Sequence, residues 1–184
     1  MKIGIYSGSF NPVHFGHTGL ALWILNHTDL DEIWMMVTPN NPLKDATIMT
    51  DEATRLFDLR KVLATIGDKR CKASDFEFTL PRPSYTAETL RQLRNQYPEH
   101  EFVLIIGEDN WEIFDKWKDY DEILRLHEVL VYPRRPLRGK IADAERPVSP
   151  ERPPFGLKEI KGVQSLNNAP YFDISSTEIR NNCK

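Results

Sequence analysis

Short runs of apolar residues alternate along the chain with longer stretches in which apolar positions recur every three or four residues. The short runs read as buried strands and the periodic stretches as helices with one inward face. Strands are expected over residues 3–6, 33–37, 102–106 and 129–132, with a less regular one over 71–78. Helices are expected over 17–26, carrying Leu20, Ala21, Trp23, Ile24 and Leu25, and over 52–66, where Leu56, Leu59, Val62 and Leu63 share a face. A third helix spans 84–96, with Ser84 as N-cap candidate and Pro98 past its end. A fourth runs over 111–126 and holds Ile113, Phe114, Trp117, Ile123 and Leu124. Strand–helix alternation implies right-handed crossovers between parallel strands, hence an α/β sheet with helices on both faces.

Residues 133–154 break the pattern, with six of the thirteen prolines and with Arg134, Arg135, Arg138 and Lys140 near the start. A loop of about 133–156 inside a compact domain reads as a lid, a binding loop or disorder. Beyond it come a strand over 157–163, a short strand over 171–174 and a helix opening over 175–180. No internal repeat is visible. The 184 residues form a single domain, 1–184, of a size that buries about 70% of the surface its unfolded chain exposes.

With 24 basic and 27 acidic side chains the net charge is −3, which argues against a dedicated nucleic-acid-binding domain and its basic face. Cys71 and Cys183 lie far apart and form neither a disulfide framework nor a metal knuckle. The first seven residues alternate and lack the apolar core of a signal peptide. The longest apolar runs fall far short of the ~20 residues of a membrane span. A cytoplasmic chain with reduced thiols, binding neither membrane nor nucleic acid, is the expectation.

In an open parallel sheet, ligands bind at the carboxyl ends of the strands, where helix N-termini present unpaired N–H groups. The first such turn reads Gly8-Ser9-Phe10-Asn11-Pro12-Val13-His14-Phe15-Gly16-His17. Gly8 permits a tight turn, Ser9 offers a hydroxyl, and His14 and His17 stand at i and i+3 of a helix start. Either imidazole could simply cap or pack. A zinc pair lacks a Glu or Cys partner at matching spacing. Beside a glycine turn and a helix N-terminus, two imidazoles make sense as donors to phosphate oxygens. The turn is neither G-x-G-x-x-G nor a Walker A loop.

This turn resembles the G-[ST]-F-[DN]-P-x-H-x-G-H signature of the HxGH nucleotidylyltransferase superfamily. Ile174-Ser175-Ser176-Thr177-Glu178-Ile179-Arg180 is similar to its second signature, I-S-S-T-x-I-R. Thr38-Pro39-Asn40-Asn41-Pro42-Leu43-Lys44 and Ser84-Tyr85-Thr86-Ala87-Glu88-Thr89-Leu90 resemble two further segments of the bacterial nicotinate-nucleotide adenylyltransferases. Taken alone, Lys44 also fits a solvated loop lysine, Ser84 a plain helix cap, Trp117 a core aromatic and Arg134 a solvated charge.

The resemblance implies a Rossmann-like doubly wound sheet and the transfer of an adenylyl group from ATP to nicotinate mononucleotide, with Mg²⁺ bound with the ATP. On the matching positions it implies catalytic roles for Ser9, His14, His17 and Lys44. ATP would be held by Gly8, Ser9, Phe10, Gly16, His17, Gly107, Asp109, Ile174, Ser176, Thr177 and Arg180. Nicotinate mononucleotide would be held by Lys44, Ser84, Tyr85, Thr86, Trp117 and Arg134, with Trp117 stacked on the pyridine ring and helix N–H groups on its carboxylate. The acceptor phosphate is mostly deprotonated at neutral pH, so no general base is needed.

Ser9 and Asn11 replace the family's commoner threonine and aspartate, and the family continues past the second signature through a helical tail where here only four residues remain. A homo-oligomer is left open. The competing readings are another member of the superfamily, such as a phosphopantetheine adenylyltransferase or a cytidylyltransferase, and a non-catalytic nucleotide-binding module.

Overall fold

The computed structural model describes residues 1–39, 51–134 and 162–171, with Ser176 and Ile179. Six strands form a wholly parallel sheet in the order β3-β2-β1-β4-β5-β6. They are β1 (Lys2–Gly8), β2 (Glu32–Val37), β3 (Cys71–Ser74), β4 (Glu101–Gly107), β5 (Glu128–Tyr132) and β6 (Val163–Ser165). The helices are α1 (Phe15–His27), α2 (Glu52–Ile66), α3 (Thr86–Gln96), α4 (Glu108–Trp111) and α5 (Tyr120–Leu126).

Alternation along the strands divides the core in two. Ile33, Met35, Val37, Val103 and Ile105 point to the face covered by α1 and α2. Ile3, Ile5, Met36, Phe102, Leu104 and Ile106 point to the face covered by α3 and α5. Both faces are buried, which is why the strands read as continuous apolar runs. Helix α2 begins where Asp51 accepts from the Ala53 and Thr54 N–H groups at 3.0 and 3.1 Å. It ends at Gly67, whose φ of 78° suits a residue without a Cβ.

Several expected elements differ. The strand over 71–78 stops at Ser74, whose hydroxyl accepts from the Phe76 N–H, and Phe76–Thr79 form a 3₁₀ turn. Ser84 is not the cap of α3: Tyr85 takes that position and the Ser84 hydroxyl makes no hydrogen bond. The helix over 111–126 is broken. Phe114–Lys116 form a 3₁₀ turn, Trp117 is extended, and Asp119 adopts φ 54° before α5 begins; aspartate is among the few side chains that tolerate this left-handed conformation. The strand expected over 157–163 is β6, shifted toward Val163–Ser165, with 157–161 outside the described residues. Tyr171 is not in a strand, while Ser176 and Ile179 are helical as expected. The loop beyond Arg134, Lys44, Ile174, Thr177, Arg180 and Cys183 also lie outside the described residues.

Candidate active site

Strand β1 sends the chain to α1 on one face of the sheet, and its neighbour β4 sends it to α4 and α5 on the other. A crevice therefore opens between Gly8 and Gly107, at the point where a doubly wound sheet places its ligand. A cavity of about 260 Å³ lies there, bounded by Gly8, Thr38, Glu77, Ser84, Gly107 and Trp117.

On the α1 side, Phe10 holds φ 44°. Its ring is 1% exposed and packs edge-on against Tyr6 and His17, at 5.8 and 5.1 Å between centroids. That packing holds the residue in a conformation it would otherwise avoid. The buried ring leaves only the Phe10 backbone open to any ligand of this turn. The His14 N–H donates to His17 Nδ1 at 3.3 Å, so a neutral His17 carries its proton on Nε2. The two imidazoles lie 3.8 Å apart, centroid to centroid. Burial, reinforced by the positive charge of Arg134, holds His14 below its ordinary value and keeps it neutral near pH 7. Gly16 is buried in the first turn of α1, whose N–H groups and dipole favour an anion. The Ser176 hydroxyl donates to the Pro12 carbonyl at 2.9 Å, so the two resemblance-bearing segments meet although 164 residues separate them.

Arg55, which the sequence reading missed, braces this loop. It is 2% exposed, and it donates to the carbonyls of Ser9 at 2.6 Å, Thr38 at 3.0 Å and Pro39 at 3.3 Å. The turn after β1 and the residues that follow β2 are thereby tied to one guanidinium. The available signal was its position one residue before Leu56 and four before Leu59, on the apolar edge of α2.

At the opposite wall, Tyr85 and Thr86 open α3, and Lys118 Nζ sits 4.8 Å from the centre of the Tyr85 ring. Trp117 rests on Phe114 at 5.1 Å, and its Nε1 is buried without a hydrogen-bond partner. Glu77, also missed, is 3% exposed and accepts from Thr89 Oγ1 at 3.0 Å. Burial pushes its carboxyl up to about 7, with the Thr89 and Thr38 hydroxyls pulling the other way. The 3₁₀ turn that holds Glu77 was hidden inside an expected strand.

Asp109 and Arg134 pair at 2.7 Å across the mouth of β4 and β5. A Cβ on Gly107 would come within 2.5 Å of the Asp109 carboxylate and 3.0 Å of Arg134 Cδ, so any other residue there would displace the pair. Arg134, expected on the mononucleotide, is not among the residues lining this cavity; it stands with Asp109, over the Tyr132 ring at 5.8 Å. No cluster of three metal-ligating side chains occurs among the described residues, and none of their helices is long and apolar enough to cross a membrane.

Residues 5–182 match the cytidylyltransferase-like family. The chain is 44% identical over 184 residues to a protein of Flavobacterium johnsoniae named "Probable nicotinate-nucleotide adenylyltransferase", covering all of this chain and 87% of that one. It is 42% identical to a protein of the same name from Bacteroides fragilis, covering 97% of this chain and 80% of that one. The structure of the Plasmodium falciparum nicotinic acid mononucleotide adenylyltransferase complexed with NaAD matches with a TM-score of 0.72 at 18% identity, over 98% of this chain and 82% of that one; this likeness speaks to the fold, which is α/β, doubly wound and Rossmann-like. With both wings of the sheet, the crevice between β1 and β4 and full-length relatives in agreement, the chain belongs to the cytidylyltransferase-like family.

Proposed function

We propose that the protein is a nicotinate-nucleotide adenylyltransferase, which joins ATP and nicotinate mononucleotide into nicotinate adenine dinucleotide and pyrophosphate. The observation that supports this reading is the crevice itself, which runs from the end of β1 at Ser7 and Gly8, where the histidine-bearing turn begins, to the start of α3 and to Trp117. Such a path suits a ligand with a phosphate near Gly8 and an aromatic ring near Trp117. A phosphate oxygen of the acceptor attacks the α-phosphorus of ATP; that O–P bond forms as the bond to the β-phosphate oxygen breaks, and pyrophosphate leaves with the electron pair. The reaction consumes no protein nucleophile, and the catalytic task is alignment and charge stabilisation.

His17, through Nε2–H, and His14 donate to phosphoryl oxygens, with the α1 N–H groups and Ser9 beside them. Lys44 approaches the acceptor phosphate, and Thr177 and Arg180 join Ser176 on the triphosphate. Gly107 and Asp109 meet the adenosine ribose, with Arg134 fixing the Asp109 carboxylate. Ser84, Tyr85 and Thr86 receive the pyridine carboxylate and Trp117 stacks on the ring. Mg²⁺ takes most of its ligands from phosphates and water, which suits a site end made of imidazoles and N–H donors; bound, it screens the polyphosphate charge. Such an enzyme serves NAD biosynthesis in the cytoplasm. Coupled pyrophosphate release, with ATP and each pyridine mononucleotide in turn, tests the assignment: turnover of the nicotinate form is expected, and turnover of the nicotinamide form far above it would overturn the acceptor.

A further inference from the structure

Four residues that line the same cavity carry a buried polar atom without a hydrogen-bond partner: Ser7 Oγ, Glu77 Oε2, Ser84 Oγ and Trp117 Nε1. Buried polar groups are rarely left unpaired in a folded protein, so four around one cavity point to a ligand that pairs them. Glu77 differs from the other three in being able to change what it offers. Thr89 Oγ1 donates to Oε1, which leaves Oε1 as the acceptor and places the proton of the neutral acid on Oε2. The same Oε2 is a donor in the acid and an acceptor in the carboxylate.

We propose that Glu77 is a specificity-determining residue for the pyridine substituent: as the neutral acid it donates Oε2–H to a ring carboxylate, and as the anion it repels that carboxylate and accepts from a ring carboxamide. This rests on the acceptor assigned above. Glu77 lines the cavity together with Ser84, Tyr85 and Thr86, at the α3 end where the carboxyl-bearing edge of the ring would sit. Its carboxyl is buried, and burial raises it to about 7, so both forms are populated near neutrality and an anionic ligand draws the proton in from solvent. The other titratable groups around the cavity are Tyr6 on β1, Tyr132 on β5, Tyr85 before α3, and Lys116 and Lys118 after α4. The side-chain groups that act on the Glu77 carboxyl are instead the hydroxyls of Thr89 and Thr38.

The test is the ratio of kcat/KM for nicotinate mononucleotide to that for nicotinamide mononucleotide, read from about pH 6 to about pH 9. The phosphate, ATP and histidine ionisations are shared by both acceptors and cancel in the ratio. Because the neutral acid can also donate to a carboxamide oxygen, the ratio is expected to be level at the acid end and to fall by up to about tenfold for each pH unit above 7, whereas Glu77→Gln, whose amide donates at every pH, gives a flat ratio. A flat ratio in the native protein, or an unchanged slope in the variant, overturns the proposal; a site that merely packs Glu77 predicts both. Should the variant fail to fold, calorimetry of the native protein at about pH 8 in two buffers of different ionisation enthalpy supplies the second reading. Uptake approaching one proton with the nicotinate form and none with the nicotinamide form supports the proposal, and equal uptake refutes it. Absence of turnover with the nicotinate form at every pH would instead remove the acceptor assignment itself.

Discussion

Replacing Glu77 by glutamine should stabilise the protein in a way that depends on pH, whether or not a substrate is present. Glu77 is 3% exposed, and burial lifts its carboxyl from an ordinary 4.5 to about 7. The folded form therefore holds the proton more tightly than the unfolded chain. Its contribution is fully present below about 4.5, is lost progressively as the pH rises through about 7, and is constant beyond. At 1.36 kcal/mol per pH unit, the interval amounts to about 3 kcal/mol. Glutamine keeps the shape, still accepts from Thr89 Oγ1, and does not titrate. The stability of Glu77→Gln relative to the native protein should thus rise by about 3 kcal/mol between about pH 4 and about pH 8, near 6–12 °C in Tm for a chain of this size. Urea unfolding of both proteins across that range measures the difference, in which every shared ionisation cancels. A fixed offset from imperfect packing of the amide is harmless, because only the slope with pH is at issue. A difference that stays constant from acid to alkaline pH would refute the buried, proton-holding state of Glu77.

Removing the Arg55 guanidinium as Arg55→Met leaves the Ser9, Thr38 and Pro39 carbonyls without their donor; thermal unfolding should register a loss of about 3–5 kcal/mol, and an unchanged Tm would refute the bracing role. His17→Ala deletes the Nε2–H donor and is expected to lower kcat by about 10²–10³-fold with the circular dichroism spectrum retained; full activity would remove His17 from the phosphate site. On the proposed acceptor site, Trp117→Ala removes a ring stack worth about 1–3 kcal/mol, so steady-state kinetics should show the acceptor KM rising about tenfold while the ATP KM holds; equal changes in both would mean that the indole only packs on Phe114.

What was readable in the chain follows from how locally each feature is determined. The strands β1, β2, β4 and β5 announce themselves because both sheet faces are buried, so each strand must be apolar throughout its length, as in the run from Phe102 to Ile106. Helix α2 carries its own boundaries in Asp51 and Gly67. The turn after β1 stood out as a candidate for a similar reason: Gly8, Ser9, His14 and His17 are supplied by one short segment. The segment from Trp111 to Leu126 misled because a 3₁₀ turn and an α-helix share the same approximate apolar spacing, and the left-handed Asp119 that separates them has no side-chain signature strong enough to override it. Arg55 and Glu77 were illegible for a different reason. Both are charged residues buried below 4% exposure, and what makes that tolerable is supplied from elsewhere in the chain: three carbonyls up to 46 residues away for Arg55, and a threonine on the next helix for Glu77. A local pattern of polar and apolar positions assigns such residues to the surface. Only the crossing of elements reveals that each is held inside, beside the crevice, where an ionisable group in an apolar wall has the most leverage over an anionic ligand.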